Sequence, residues 1–145
     1  MSTRREAREW AVQLLFQLDL NPDNELEKVF GRFWEERSGE EKAKRFAEKI
    51  VKGVWSDIKT IDALLAQCAK NWDVRRMGVL DRNVIRMAVY EMMNCHDIPP
   101  AVSINEAVDL AKYFSSNESG KFVNGVLDRV RKELKIDSKS KPAGK

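Results

Sequence analysis

At 145 residues the chain is sized for one domain and long enough to bury a core. Hydrophobic residues make up 43% and charged residues 34%, an ordinary water-soluble balance, and a net charge of +3 is too mild to mark a nucleic-acid binder unless the charge is concentrated. No signal peptide is recognisable and no apolar run reaches about 18 residues, so the expectation is a cytoplasmic protein without a membrane-spanning helix.

Helical periodicity runs through nearly the whole sequence, and period-2 alternation is nowhere sustained. The first helix is expected over Arg4 to Leu20, opened by a capping box in which Thr3 caps and Glu6 reaches back. Its core stripe is Ala7, Ala11, Leu14 and Leu18, and Asn21-Pro22-Asp23-Asn24 stops it. A second helix over Glu25 to Arg37 carries Leu26, Val29, Phe30, Phe33 and Trp34 and ends at Ser38-Gly39. A long third pattern runs from Ala43 to Trp72, with Gly53 as the place for a bend. A fourth spans Asp73 to Met93, with Met77, Leu80, Val84, Met87 and Ala88 inward.

"HDIPP" (His96 to Pro100) is a firm break, because proline cannot continue a helix. The next helix is expected over Val102 to Phe114, with a second capping box at Ser103 and Glu106. "SSNESG" then separates it from a last helix over Lys121 to Leu134. The tail from residue 136 to 145 has little apolar content and is expected to be disordered. Together these elements predict an all-α, single-domain helical bundle over residues 1–135. Cys68 and Cys95 have no CxxC spacing and are expected to be buried free thiols.

Four features exceed what a core requires. Arg4, Arg5 and Arg8 crowd the start of the first helix, where the macrodipole favours acidic side chains. Either this is a solvated end balanced by Glu6 and Glu9, or it is an anion site. Val12 and Phe16 lie within about 20° of Arg5 on a helical wheel, opposite the core stripe. They are expected on an exposed face that a partner covers, against the alternatives of scattered surface apolar groups or burial of the helix on several sides. In the last helix Lys121, Asn124 and Asp128 share a face, and Asn124-Gly125 interrupts a good helix former. Gly125 suits either tight helix packing or close approach of a ligand, while Asn124 offers a donor and an acceptor. Arg75, Arg76, Arg82 and Arg86 give the fourth helix a basic side that either tracks phosphates or pairs with carboxylates.

Catalysis has little support. His96 is the only histidine, so no triad, HExxH motif or histidine cluster can form, and no GxGxxG or P-loop pattern is present. Neither a metal nor another cofactor is expected.

"RREAREWAVQLLFQLDL" near the start, "VLDRNVIRMAVYEM" in the middle and "VSINEAVDLAKYFSSNESGKFVNGVLDRV" near the end resemble the NusB family of transcription antitermination factors. The resemblance extends from Arg4 to about Leu134 and implies two small helical bundles packed on each other. It implies no enzymatic activity. It implies binding of single-stranded boxA RNA of ribosomal RNA operons together with NusE, and through NusA and NusG an association with RNA polymerase. Carried over to matching positions, Arg4, Arg5, Arg8, Phe114, Lys121, Phe122 and Asn124 fall at RNA-binding positions, and Glu118 at an acidic position beside them. Phe16 and Asp81 fall on the NusE side, where the wheel also places Val12. Phe16 stands where tyrosine is common, so one hydrogen bond is lost, and Glu6 stands where a further arginine can occur. Rival expectations are a protein-binding scaffold, an accessory NusB-like module of ribosomal RNA methylation, and a helix-turn-helix binder of duplex DNA.

Overall fold

A computed structural model describes residues 3–68 and 77–134 of the chain. Seven helices account for nearly all of the described residues: α1 (Arg4–Leu20), α2 (Leu26–Glu35), α3 (Glu41–Ser56), α4 (Ile58–Cys68), α5 (Val79–Asn94), α6 (Pro100–Phe114) and α7 (Asn117–Leu134). Helices α1, α2 and α3 pack together at one end of the sequence. Helices α4, α6 and α7 surround α5, which also touches α1 and α3 and so joins the two groups. None of the described helices is long and apolar enough to cross a membrane.

Local chemistry sets the helix ends. The Glu6 amide donates to Thr3 Oγ1 at 3.1 Å, satisfying one of the free N–H groups of the first turn of α1. Pro100 opens α6, where a missing N–H costs nothing, and this start falls two residues before the expected one. Ser103 therefore lies inside α6 and is not its cap. Its hydroxyl instead donates to Glu91 Oε1 at 2.9 Å in the core. Ser116 accepts the Ser119 amide at 3.1 Å, and so α7 begins at Asn117 rather than at Lys121. Four of the six residues expected as a connection are thus the first turn of a helix.

The long third pattern divides at Asp57, not at Gly53. Gly53 has a different task, since a Cβ built there would sit 2.1 Å from the Tyr90 ring, and only glycine lets α3 approach α5 so closely. Helix α2 ends at Glu35, ahead of Ser38-Gly39. The expectations for Trp72, Asp73, Arg75, Arg76 and the 136–145 tail lie outside the described residues. Cys68 and Cys95 are buried and unbridged, and burial pushes both thiols up from their ordinary range.

Helix α1 runs antiparallel to α5 and is clamped to it near both ends. Near the start, Arg8 donates twice to Glu91, Nε to Oε2 and Nη2 to Oε1, both at 2.8 Å. Arg8 is 4% exposed and Glu91 1%. Near the other end, Asp19 receives Arg82 Nη2 at 2.8 Å, Asn83 Nδ2 at 2.8 Å and Arg86 Nη1 at 3.0 Å. Arg86 also holds Asp62 of α4 through two bonds of 2.8 Å. Burial raises the Asp19 carboxyl, but the hydrogen bonds from Arg82 and Asn83 and the two guanidinium charges outweigh it, so its pKa is lowered.

These pairs correct two expectations. Arg8 is not a cation facing solvent; its charge is consumed in the core. Val12 is not exposed either, because α1 is buried on more than one side and Val12 is 0% accessible. The basic side of α5 resolves toward ion pairs at Arg82 and Arg86, with Asp19 and Asp62 as the partners. Among the described residues nothing packs tightly at Gly125: a Cβ there would meet none of them within 4 Å. The close helix contact on α7 is at Gly120, where a Cβ would lie 2.7 Å from Lys112 Cγ.

Two outcomes follow. Arg8→Ala strands the buried Glu91 carboxylate and should cost about 3–5 kcal/mol in denaturant unfolding, with the Arg8→Met/Glu91→Met double variant less damaged than Arg8→Ala. Gly125→Ala should raise stability by about 1 kcal/mol, because α7 gains helix propensity without a clash; a loss in the same measurement would place an unseen neighbour at Gly125.

Candidate nucleic-acid and partner surface

A strip along α1 and α6 carries Arg4, Arg5, Phe16 and Phe114 of the residues singled out by sequence, while Asp81 lies on α5 and Glu118, Lys121, Phe122 and Asn124 lie on the adjoining α7. Arg5 meets Glu106 and Asp109 of α6 at one end. At the other end Phe16 and Phe114 line one groove. Eleven residues of helix separate Arg5 from Phe16, about 16 Å.

At the arginine end, Arg4 is exposed. Its guanidinium lies over the Phe46 ring of α3, 4.5 Å from the centroid, and 3.7 Å from Asp97. Arg5 is half-exposed, with Nη2 at 3.1 Å from Glu106 Oε2 and 3.0 Å from Asp109 Oδ2. The hydrogen bonds from Arg5 are the main cause of the lowered pKa of Glu106, and Glu106 in turn raises that of Arg5. Arg8 lies beneath them on Glu91. The expected trio of arginines is thus two accessible side chains and one internal strut.

At the groove end, Val12 forms part of the floor beneath Phe16, Gln17, Leu80, Phe114 and Ser115, enclosing about 540 Å³. Phe16 is 37% exposed, a large apolar group that the chain's own fold leaves half uncovered. Phe114 packs edge-to-face with Tyr113, centroids 5.0 Å apart. Beside the groove, Ser119 Oγ donates to Asp81 Oδ2 at 3.3 Å and accepts from Ser115 Oγ at 2.9 Å, which ties the start of α7 to the start of α5. The residues expected for RNA (Phe114) and for the partner (Phe16, Asp81) therefore meet at one junction.

Along α7, Glu118 and Lys121 are exposed, 3.9 Å apart in a loose ion pair. Asn124 is exposed on the turn after Lys121, and Phe122 is half-buried against the core. Tyr113 was missed by sequence reasoning. It is 74% exposed, the most exposed of the large apolar side chains, and sits beside Phe114. Its signal was available in "AKYF", where a tyrosine precedes the last core residue of the helix on a polar face. The hydroxyls of Ser115 and Ser119 stand out in "SSNESGK" as polar groups without a P-loop pattern, and the structure turns them toward each other and Asp81.

Chemically, the strip offers guanidinium and ammonium donors, exposed aromatic faces and an amide. These groups suit phosphate contact, base stacking and base-edge hydrogen bonding. The half-covered groove suits an apolar side chain from a protein.

Comparison with known proteins identifies the family. The sequence pattern of the NusB family matches residues 5–132. The transcription antitermination protein NusB of Pelotomaculum thermopropionicum is 44% identical over 129 residues, 88% of each chain. The structure of T. maritima NusB superposes with a TM-score of 0.82 at 37% identity, covering 91% of this chain and 92% of that one. A crystal structure of antitermination factors NusB and NusE in complex with double-stranded RNA superposes with a TM-score of 0.80 at 30% identity, covering 90% of this chain and 96% of the other. An all-helical fold built around a clamped α1–α5 pair and a family match over nearly the whole chain lead to one assignment: the protein belongs to the NusB family.

Proposed function

We propose that the chain is a non-catalytic transcription antitermination factor of the cytoplasm. It binds boxA RNA of ribosomal RNA operons together with NusE, and through NusA and NusG it joins RNA polymerase. The observation that carries this reading is the meeting of Phe16 and Phe114 in one groove. That placement lets a protein cover the Phe16 wall while RNA stacks on the Tyr113–Phe114 side, each extending the other's contact surface. Family membership supports it, as does the solved NusB–NusE complex with RNA.

The roles divide along the strip. Arg4 and Lys121 neutralise phosphate, and Arg5 joins them when it turns from Glu106 and Asp109. Phe114 and Tyr113 present faces for bases, and Phe122 supports that side. Asn124 reads a base edge or a sugar, with Glu118 tempering the local charge. On the partner side Phe16 inserts into NusE, Val12 backs it from below, and Asp81 accepts a hydrogen bond or a cation at the rim. Specific RNA recognition works on unstacked bases, so a single strand is the expected substrate and a duplex of the same sequence is the control.

Separate variants test the two faces. Arg4→Ala/Arg5→Ala and Lys121→Ala/Asn124→Ala should each weaken boxA binding by about 1–3 kcal/mol. Phe16→Asp should impair NusE binding by at least tenfold, about 1.4 kcal/mol, and leave the RNA affinity of the chain alone within about twofold. Unchanged RNA affinity in both folded double variants would overturn the RNA face. Equal loss of NusE and RNA in Phe16→Asp would overturn the division of roles.

A further inference from the structure

The arginines at the start of α1 contribute little free charge. Arg5 is held by Glu106 and Asp109, Arg8 by Glu91, and Arg4 has Asp97 nearby. An outward face of α3 is different. Lys42, Arg45 and Lys49 recur at i, i+3 and i+7 and are all exposed. Among the described residues no carboxylate forms an ion pair with any of them. With Arg4 and Phe46 they line a cleft of about 480 Å³, in which Glu40 is the single carboxylate. Three cations without an ion-pair partner among the described residues thus stand beside Glu40 and the Arg4–Asp97 pair, next to the arginine end of the strip. The Phe46 ring holds Arg4 by its flat face, which leaves the N–H edges of the guanidinium for an oxygen ligand.

We infer that this α3 face, and not the arginine cluster of α1, supplies most of the phosphate neutralisation, by binding the backbone of single-stranded RNA that flanks the recognised element. The inference rests on the RNA-binding reading above and goes beyond it in assigning the track to Lys42, Arg45 and Lys49. Three reasons favour RNA over an acidic protein segment. The cations form a linear row about 10 Å long. The one aromatic ring in the cleft is already capped by Arg4, which leaves no open apolar pocket for a protein side chain. The row also continues from the strip that carries the other candidate RNA contacts. Phosphates along a strand need little more than such a row, and each one neutralised releases counterions.

The test compares the full-length chain with its Lys42→Ala/Arg45→Ala/Lys49→Ala variant. Two RNAs are titrated at several salt concentrations: the boxA element alone, and boxA with single-stranded flanks. Three lost phosphate contacts should lower the slope of log K against log salt by about 2 on the flanked RNA, equivalent to about a 100-fold loss at 0.1 M salt relative to extrapolation to 1 M. The element alone should lose much less, and Lys42→Arg/Lys49→Arg should keep the parent slope. If the triple variant does not fold, Lys42→Ala and Lys49→Ala taken singly should each remove about 0.7 of slope. A parent-like slope on the flanked RNA overturns the α3 track. Retained RNA binding with loss of NusE binding overturns it in favour of a protein site. Failure of the parent chain to bind either RNA overturns the RNA-binding reading itself, a result distinct from the other two.

Discussion

Helix α1 is pinned to α5 by buried carboxylate–guanidinium contacts near each of its ends, and the rest of the molecule is arranged around that constraint. Breaking the Arg8–Glu91 pair leaves a charge in a low-dielectric interior, which costs several kcal/mol, and the Asp19 cluster is part-buried. Sliding α1 along α5 by one turn would break both at once. The register of α1 is therefore fixed, and so is the outward direction of Arg4, Arg5 and Phe16. Ser103 completes the first clamp from α6 and Asp62 the second from α4, so four helices share the same polar framework. Gly53 adds a steric version of this control by admitting the Tyr90 ring between α3 and α5.

The framework also explains how charge is divided over the surface. A chain of modest net charge can still present a strong local field if its carboxylates are spent elsewhere. Here Glu91 and Asp19 are consumed inside, and Glu106 and Asp109 quiet Arg5 at the helix start. The unbalanced cations are left on α3, one helix away from the most conspicuous arginines in the sequence. On the opposite end of the strip, polarity gives way to a half-open apolar groove. A single helix, α1, thus borders a cationic cleft at one end and an apolar groove at the other, which suits simultaneous contact with a nucleic acid and a protein.

Much of this was legible in the sequence, and what was not has physical causes. The α1 span, its Thr3 cap and its core stripe follow from periodicity and capping chemistry, and the structure places them as expected. Arg8 could not be recognised as internal, because its partner Glu91 lies far away in the chain and a wheel drawn for one helix cannot see it. Val12 misled for the same reason: one wheel assumes one buried face, while α1 is covered from several directions. Ser103 looked like a cap because Ser-x-x-Glu is a cap signature, yet Pro100 had already begun the helix. The Asn124-Gly125 pair is now separated in meaning. Gly125 packs against none of the described residues, so no contact with the seven helices accounts for it, and Asn124 stands exposed next to it. The α3 row was visible as Lys-x-x-Arg-x-x-x-Lys, but only the structure shows that no carboxylate among the described residues forms an ion pair with it.

The central claim is that RNA runs from the start of α1 to the Tyr113–Phe114 side and meets the protein partner at the Phe16 groove, on a strip whose position the α1–α5 clamps fix. Amide chemical-shift mapping of the isotope-labelled chain tests it most directly, first with flanked single-stranded boxA RNA and then with NusE added. RNA should move resonances at the start of α1, on the outer face of α3 and around Tyr113 to Asn124, and NusE should then move those around Phe16 and Leu80. Shifts from RNA confined to α2 and α4, or NusE shifts that leave the Phe16 groove untouched, would contradict it.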